Sequence, residues 1–193
     1  MNGGNGIGAV GKWDGHTHTE FCKHGSARPL REYAERAAAL GFARYTVTEH
    51  PPLPANWVDD PALMRELAMD MEELPAYMKA VRAVKEEFAG RLDIRVGLEM
   101  DYLHENESFT AAVLAEADRL GLEEAIVSVH YLPGRGGMRC VDYTPEDFRE
   151  NLLSYYGSME RVTDVYFDHV ELAVRSAAAW PWRRRIGHVC LIE

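Results

Sequence analysis

Ala125-Ile126-Val127-Ser128-Val129-His130 is a short apolar, β-branched run that closes on an imidazole. Such a run reads as a strand, Ala125 to Val129, buried on both faces. The same grammar recurs on either side of it. Upstream, Asp93-Ile94-Arg95-Val96-Gly97-Leu98 closes on Glu99, and Ala43-Arg44-Tyr45-Thr46-Val47-Thr48 closes on Glu49-His50. Nearer the start, a strand from Lys12 to His16 runs into Asp14-Gly15-His16-Thr17-His18. Downstream, Arg185-Ile186-Gly187 closes on His188. Five predicted strands therefore end in an imidazole or a carboxylate.

Helical segments separate them. One spans Pro29 to Leu40, with Ser26 as its expected cap and Gly41 as its stop. From Ala62 to Phe88, the residues Met64, Leu67, Met71, Leu74, Met78 and Val81 fall three or four apart and make one apolar stripe. Pro75 divides this segment into two helices and sits in the first turn of the second. Ser108 to Leu120 is helical and stops at Gly121, while Gly134, Gly136 and Gly137 mark a loose loop. Helices are expected again over Pro145–Tyr156 and Ser158–Ala179. Alternating strands and helices imply an α/β fold with parallel strands and right-handed crossovers. In a parallel α/β barrel the strand C-termini share one face, so His16, His18, His50, Glu99, His130 and His188 are expected to converge there.

Nitrogen and oxygen donors of this kind suit zinc, manganese or iron. Strand geometry puts both rings of His16-x-His18 on one side, and His24 lies in the loop above the same face. Seven ligands, with Glu99 as the natural bridge, exceed what one catalytic ion needs. Two or three divalent ions are therefore expected. Glu49 points away from His50 along the strand and is placed behind the ligands. His104 and His169 are read as structural.

Composition narrows the class. The 193 residues carry a net charge of -10, which disfavours a nucleic-acid partner but not an anionic small substrate next to metal ions. No apolar run is long enough for a membrane span. The three cysteines, Cys22, Cys140 and Cys190, form no C-x-x-C pair. Neither a disulfide framework nor a thiolate zinc site is expected. Met1 to Gly11, with five Gly and two Asn, reads as a flexible leader lacking the features of a signal peptide, and a cytoplasmic location is expected. Residues 12–193 form one domain.

These residues resemble the polymerase-and-histidinol-phosphatase (PHP) family. The matching pieces are Asp14-Gly15-His16-Thr17-His18, His24, Thr48-Glu49-His50-Pro51, Gly97-Leu98-Glu99-Met100-Asp101-Tyr102, Ser128-Val129-His130-Tyr131-Leu132 and Ile186-Gly187-His188. Gly-Leu-Glu-x-Asp and Ser-Val-His-Tyr-Leu are similar to the histidinol-phosphatase branch. The resemblance implies a distorted (β/α)7 barrel with three metal ions. His16, His18 and Glu99 would hold the first, His24 and His50 the second, and Glu99, His130 and His188 the third. It further implies hydrolysis of L-histidinol phosphate, a step of histidine biosynthesis, by a metal-bridging hydroxide, with Glu99 and His130 as catalytic residues. Arg135 and Arg139 are candidate phosphate contacts. Other readings are a phosphoesterase acting on nucleotides or DNA ends, or a metal-binding module with little turnover. The family pattern also carries a late Asp-x-His pair that this sequence lacks, Cys190 standing where an Asp is usual. The sequence is therefore expected to stop after the fifth strand, leaving an open barrel whose second metal position is the weakest.

Overall fold

The computed structural model describes residues 11–192. The expected leader lies outside the described residues except for Gly11. Strand β1 (Lys12–Thr17) leads through a loop to helix α1 (Leu30–Ala39) and strand β2 (Phe42–Glu49). Helices α2 (Pro61–Leu67) and α3 (Leu74–Glu87) precede β3 (Asp93–Asp101), which is followed by α4 (Glu107–Arg119) and β4 (Glu124–Ser128). A hairpin of β5 (Tyr131–Gly134) and β6 (Gly137–Cys140) comes next. Helical stretches α5 (Pro145–Asp147), a π-spaced Phe148–Leu153 and α6 (Ser154–Tyr156) then lead to α7 (Met159–Ala177) and β7 (Arg183–Ile186).

The main sheet has the order β1-β2-β3-β4-β7, and every pairing is parallel. Each strand lies beside its predecessor, so the sheet winds in one direction. In a flat sheet, strands spaced ~4.8 Å apart would put β1 and β7 about 19 Å from each other. Yet the Arg185 guanidinium of β7 sits 4.6 Å from the Trp13 ring of β1. The His16 and His188 rings meet with centroids 4.7 Å apart. The sheet therefore curls into a half-barrel, with its concave face toward the histidines.

Helices cover the convex side through regularly spaced apolar positions: Leu30, Ala34 and Ala37 of α1, Leu74, Tyr77, Met78 and Val81 of α3, and Val113, Leu114 and Ala117 of α4. Ile94, Val96, Leu98, Ala125 and Val127 meet them from the strands in one continuous core. The central strands are buried on both faces, which is why they read as unbroken apolar runs.

Four expectations need correction. Ser26 does not cap α1; its hydroxyl contacts Tyr33. The backbone N–H of Leu30 donates instead to the Glu20 carboxylate at 2.6 Å. The methionine stripe is not continuous, because Met71 falls in the break between α2 and α3 and is 39% exposed. Pro75 does lie in the first turn of α3. The glycines after β4 make the β5–β6 hairpin rather than a loose loop, because Gly136 (φ 84) and Gly137 (φ 150) adopt the turn conformations that glycine favours. The last strand ends at Ile186, and His188 projects from a left-handed residue (φ 46) beyond it.

Candidate metal centre

Glu99 is fully buried near the C-terminal end of β3. Five imidazoles crowd its carboxylate, all through Nε2. His16 lies 2.7 Å, His18 3.2 Å and His50 3.7 Å from Oε2, while His188 lies 3.2 Å and His130 3.5 Å from Oε1. The register explains the convergence. Glu99 of β3 is paired with Ile126 of β4, two residues before Ser128, whose hydroxyl donates to Glu99 Oε1 at 2.6 Å. Gly187 makes this packing possible, since a Cβ there would lie 2.3 Å from Ser128 Oγ and 3.3 Å from Glu99 Oε1. Tyr77 fixes the adjacent strands: its hydroxyl donates to the Gly97 carbonyl at 2.6 Å and lies 3.2 Å from the Val47 carbonyl.

A second layer sets the tautomers. His18 Nδ1 faces Glu49 Oε2 at 3.1 Å, and Glu49 also accepts from the Thr19 hydroxyl at 2.7 Å. His130 Nδ1 lies 2.6 Å from Asp101 Oδ1, and His24 Nδ1 2.8 Å from the Glu66 carbonyl. An acceptor on Nδ1 keeps the proton there and leaves the Nε2 lone pair available. This is the arrangement found behind metal-bound imidazoles.

The donors fit divalent metal ions by a direct observation. His16 Nε2 and Glu99 Oε2 stand 2.7 Å apart, yet both are buried without a hydrogen-bond partner. Asp101 Oδ2 is likewise unpartnered. Buried polar atoms left without a hydrogen bond beside such donors are accounted for by a cation that they can share. Donor atoms of His16, His18 and Glu99, of Glu99, His130 and His188, and of His50, Asp101 and His130 all lie within 4.8 Å of one another inside each set.

Electrostatics follow from this crowding. Burial opposes ionisation of Glu99, but His16, His18 and His188 outweigh it and hold the carboxyl far below its usual range. Burial also works against the His18 cation, and contacts with Cys22, Glu49 and Glu99 overcome it, raising its pKa to about 11. His130 rises to about 9 because Asp101 and Glu99 outweigh its desolvation. His50 is pushed well below its ordinary value, chiefly by burial. In the Cys22 thiol, contacts with His18 and His24 overcome burial and lower the pKa to about 6.

Beside Glu99 opens a cavity of 230 Å³, lined by His18, His24, His50, His130 and His188 together with Leu67, Tyr131, Cys140 and Asp142. A larger groove of 820 Å³ borders the helices between Val141 and Phe167 and contains no histidine, so chemistry rather than size marks the site. The structure thus brings His16, His18, His24, His50, Glu99, His130 and His188 to one place. Arg135 and Arg139 lie on the hairpin and do not line the cavity. Arg139 is engaged by Asp59 at 2.6 Å, and Arg135 is exposed at the hairpin turn. The His104 and His169 rings meet at a tilt with centroids 4.9 Å apart, also off the cavity lining. Asp101, Ser128, Asp142 and Cys22 were not singled out as site residues from sequence. Asp101 carried a signal: it lies two residues beyond Glu99 on a strand, hence on the same side.

The model of the PHP domain family matches residues 14–189. The chain is 38% identical over 184 residues to a Bacillus subtilis protein named histidinol-phosphatase, covering 94% of this chain and 67% of that one. It is 37% identical over 167 residues to a Deinococcus radiodurans protein named "Probable histidinol-phosphatase", covering 86% of this chain and 57% of that relative. A crystal structure from Listeria monocytogenes, provisionally described as the histidinol phosphatase hisK, superposes with a TM-score of 0.88 at 34% identity. The match covers 94% of this chain and 68% of that one.

Proposed function

Because this chain belongs to the PHP domain family, we propose that it is a histidinol-phosphatase, hydrolysing L-histidinol phosphate to L-histidinol and phosphate. The observation that carries the proposal is the ring of five imidazole Nε2 atoms within 4.0 Å of one buried carboxylate. It is supported by two relatives, 38% and 37% identical to this chain, named "Histidinol-phosphatase" and "Probable histidinol-phosphatase".

Two or three divalent ions, zinc, manganese or iron, would be held by His16, His18 and Glu99, by Glu99, His130 and His188, and by His24 and His50. Bound there, they supply Lewis acidity and a water molecule acidified enough to attack phosphorus at neutral pH. The chain's own residues do the rest. Glu99, shared between two donor sets, and His130 are the proposed catalytic residues. Glu49 and Asp101 hold His18 and His130 in the tautomer that presents Nε2. Leu67 and Tyr131 form the apolar part of the wall and limit water at the cavity. The Asp142 carboxylate, which lines the cavity, is the proposed contact for the cationic amino group of the substrate. Arg135 and Arg139 lie off the cavity lining, Arg139 being held by Asp59, so in this reading the phosphate would be met by the metal ions rather than by these arginines. The half-barrel corresponds in this reading to consecutive strands of a distorted (β/α)7 barrel. Among the described residues no helix is long and apolar enough to cross a membrane, and a cytoplasmic enzyme acting on a small phosphate monoester fits that.

Phosphate release from L-histidinol phosphate tests the proposal. The metal-stripped chain would be reloaded with manganese or zinc and assayed beside nucleoside monophosphates and 3′-phosphorylated DNA ends. Preference for histidinol phosphate supports the reading. Turnover of nucleotides or DNA ends alone, or no turnover of any substrate, contradicts it.

A further inference from the structure

The histidine cavity does not end at the metal ligands. His24, Leu67, Cys140 and Asp142 line it and also line a second chamber of 220 Å³, which Leu63, Glu66 and Tyr143 complete. Those four shared residues form the neck between two compartments of similar size. Sites for small organic ligands usually measure roughly 300–1,000 Å³. Each chamber alone falls short of that range, and the two together reach it.

Helix α2 builds one wall of the second chamber. Leu63, Glu66 and Leu67 are spaced three and four apart, which puts them on one helical face. The helix is anchored at both ends. The Asp60 carboxylate accepts from the backbone N–H of Ala62 at 2.7 Å and of Leu63 at 3.2 Å. Just past the last turn, Met69 N donates to the His50 carbonyl at 3.4 Å. Leu63 and Leu67 also pack against the small core of Trp57, Val58 and Tyr131, so this wall is preformed. Tyr143 brings an aromatic ring that lines the chamber and is 46% exposed. At the neck, Asp142 Oδ1 accepts from the Cys140 thiol at 3.0 Å, which orients the carboxylate. Two leucines, an open aromatic face and two carboxylates suit a small flat ring that carries N–H donors.

The order of these groups along the cavity matches the order of groups along L-histidinol phosphate. The phosphate belongs with the metal ions, the amino group comes next, and the imidazole is last. We propose, resting on the histidinol-phosphatase reading above, that the second chamber is the slot that selects the substrate's ring. It takes the imidazole between Tyr143 and the Leu63–Leu67 face of α2. The Glu66 carboxylate accepts from a ring N–H, while Asp142 at the neck meets the amino group. The same two carboxylates discriminate against a polynucleotide, whose further phosphates they repel.

The slot is tested on the metal-loaded full chain with L-histidinol phosphate and with O-phosphoethanolamine, which keeps the phosphate and the amino group but lacks the ring. The ratio of kcat/KM for the two substrates reads the contribution of the ring. In Tyr143→Ala the ratio is expected to fall about 3- to 10-fold, mostly through a higher KM for L-histidinol phosphate. In Leu63→Trp, whose indole would fill the slot, it is expected to fall further. Tyr143 is exposed, so its variant decides the matter even if Leu63→Trp does not fold. A ratio unchanged in Tyr143→Ala or in a folded Leu63→Trp overturns the proposal, as does a wild type without preference for L-histidinol phosphate.

Failure of the phosphatase reading shows differently. If the wild type releases no phosphate from either substrate, that reading falls, and the slot is judged by binding of L-histidinol in saturation-transfer NMR. Binding that weakens in Tyr143→Ala supports the slot. No binding, or binding unchanged in Tyr143→Ala, overturns it.

Discussion

His130 Nδ1 and Asp101 Oδ1 are 2.6 Å apart in the buried wall of the site, joining an imidazole beyond β4 to the last residue of β3. The contact fixes which nitrogen of His130 turns toward Glu99, whose Oε1 is 3.5 Å from Nε2. Asp101→Asn keeps an acceptor but loses the charge that favours a donating Nδ1–H. Zinc affinity and turnover are expected to fall about 10–100-fold with the fold retained, as for other carboxylates behind metal-bound histidines. Isothermal titration with zinc and the thermal midpoint of the metal-free variant check this. An unchanged affinity would mean that His130 is held by packing alone.

Among the described residues, Glu99 is the one carboxylate shared by two donor sets. Glu99→Gln preserves volume and removes the charge. Metal content is expected to drop by at least one ion per chain, and turnover to fall by more than the 10–100-fold given for an orienting residue. Elemental analysis after dialysis and phosphate release provide the readings.

Metal-free protein should respond to pH in two opposite ways. The folded pKa of His130 is about 9, against 6.5 for an ordinary histidine. Between those values the folded state binds more protons than the unfolded state, so stability falls as pH rises. The contribution is complete below about 6.5 and lost through about 9. His18, raised to about 11, extends the same trend. Glu99, held far below its usual range, contributes stability above about 4.5 that is lost as pH falls. Zinc must displace the imidazole protons, so its stabilising effect grows over the alkaline interval. Thermal melts with chelator should therefore decline from pH 6.5 to 9, while the increment from added zinc increases. Parallel curves with and without zinc would contradict the shared use of these imidazoles.

Much of this architecture was legible because the information is local. The central strands β3 and β4 carry short apolar runs, and the residues at or just beyond their ends name the ligands they deliver. Other features depended on distant partners. Glu20 reaches ten residues forward to cap α1, which no adjacent pattern announces. The β5–β6 hairpin has strands of four residues, too short for alternation to outweigh its three glycines. The curl of the sheet is evident from long-range contacts, Trp13 meeting Arg185 and His16 meeting His188.

Tyr77 ties β2 and β3 together below the site through a fully buried hydroxyl. Tyr77→Phe leaves the Gly97 carbonyl short of its donor. A loss of about 1–3 kcal/mol is expected, read as a lowered thermal midpoint at roughly 2–4 °C per kcal/mol for a chain of this size.

Diffraction at the zinc edge from crystals of the full chain grown with zinc puts the central idea at greatest risk. Anomalous peaks are expected in the histidine cavity, at least one on each side of the Glu99 carboxylate, with imidazole Nε2 atoms at about 2.0–2.1 Å. A cavity that stays free of anomalous density while zinc is bound elsewhere on the chain would contradict it.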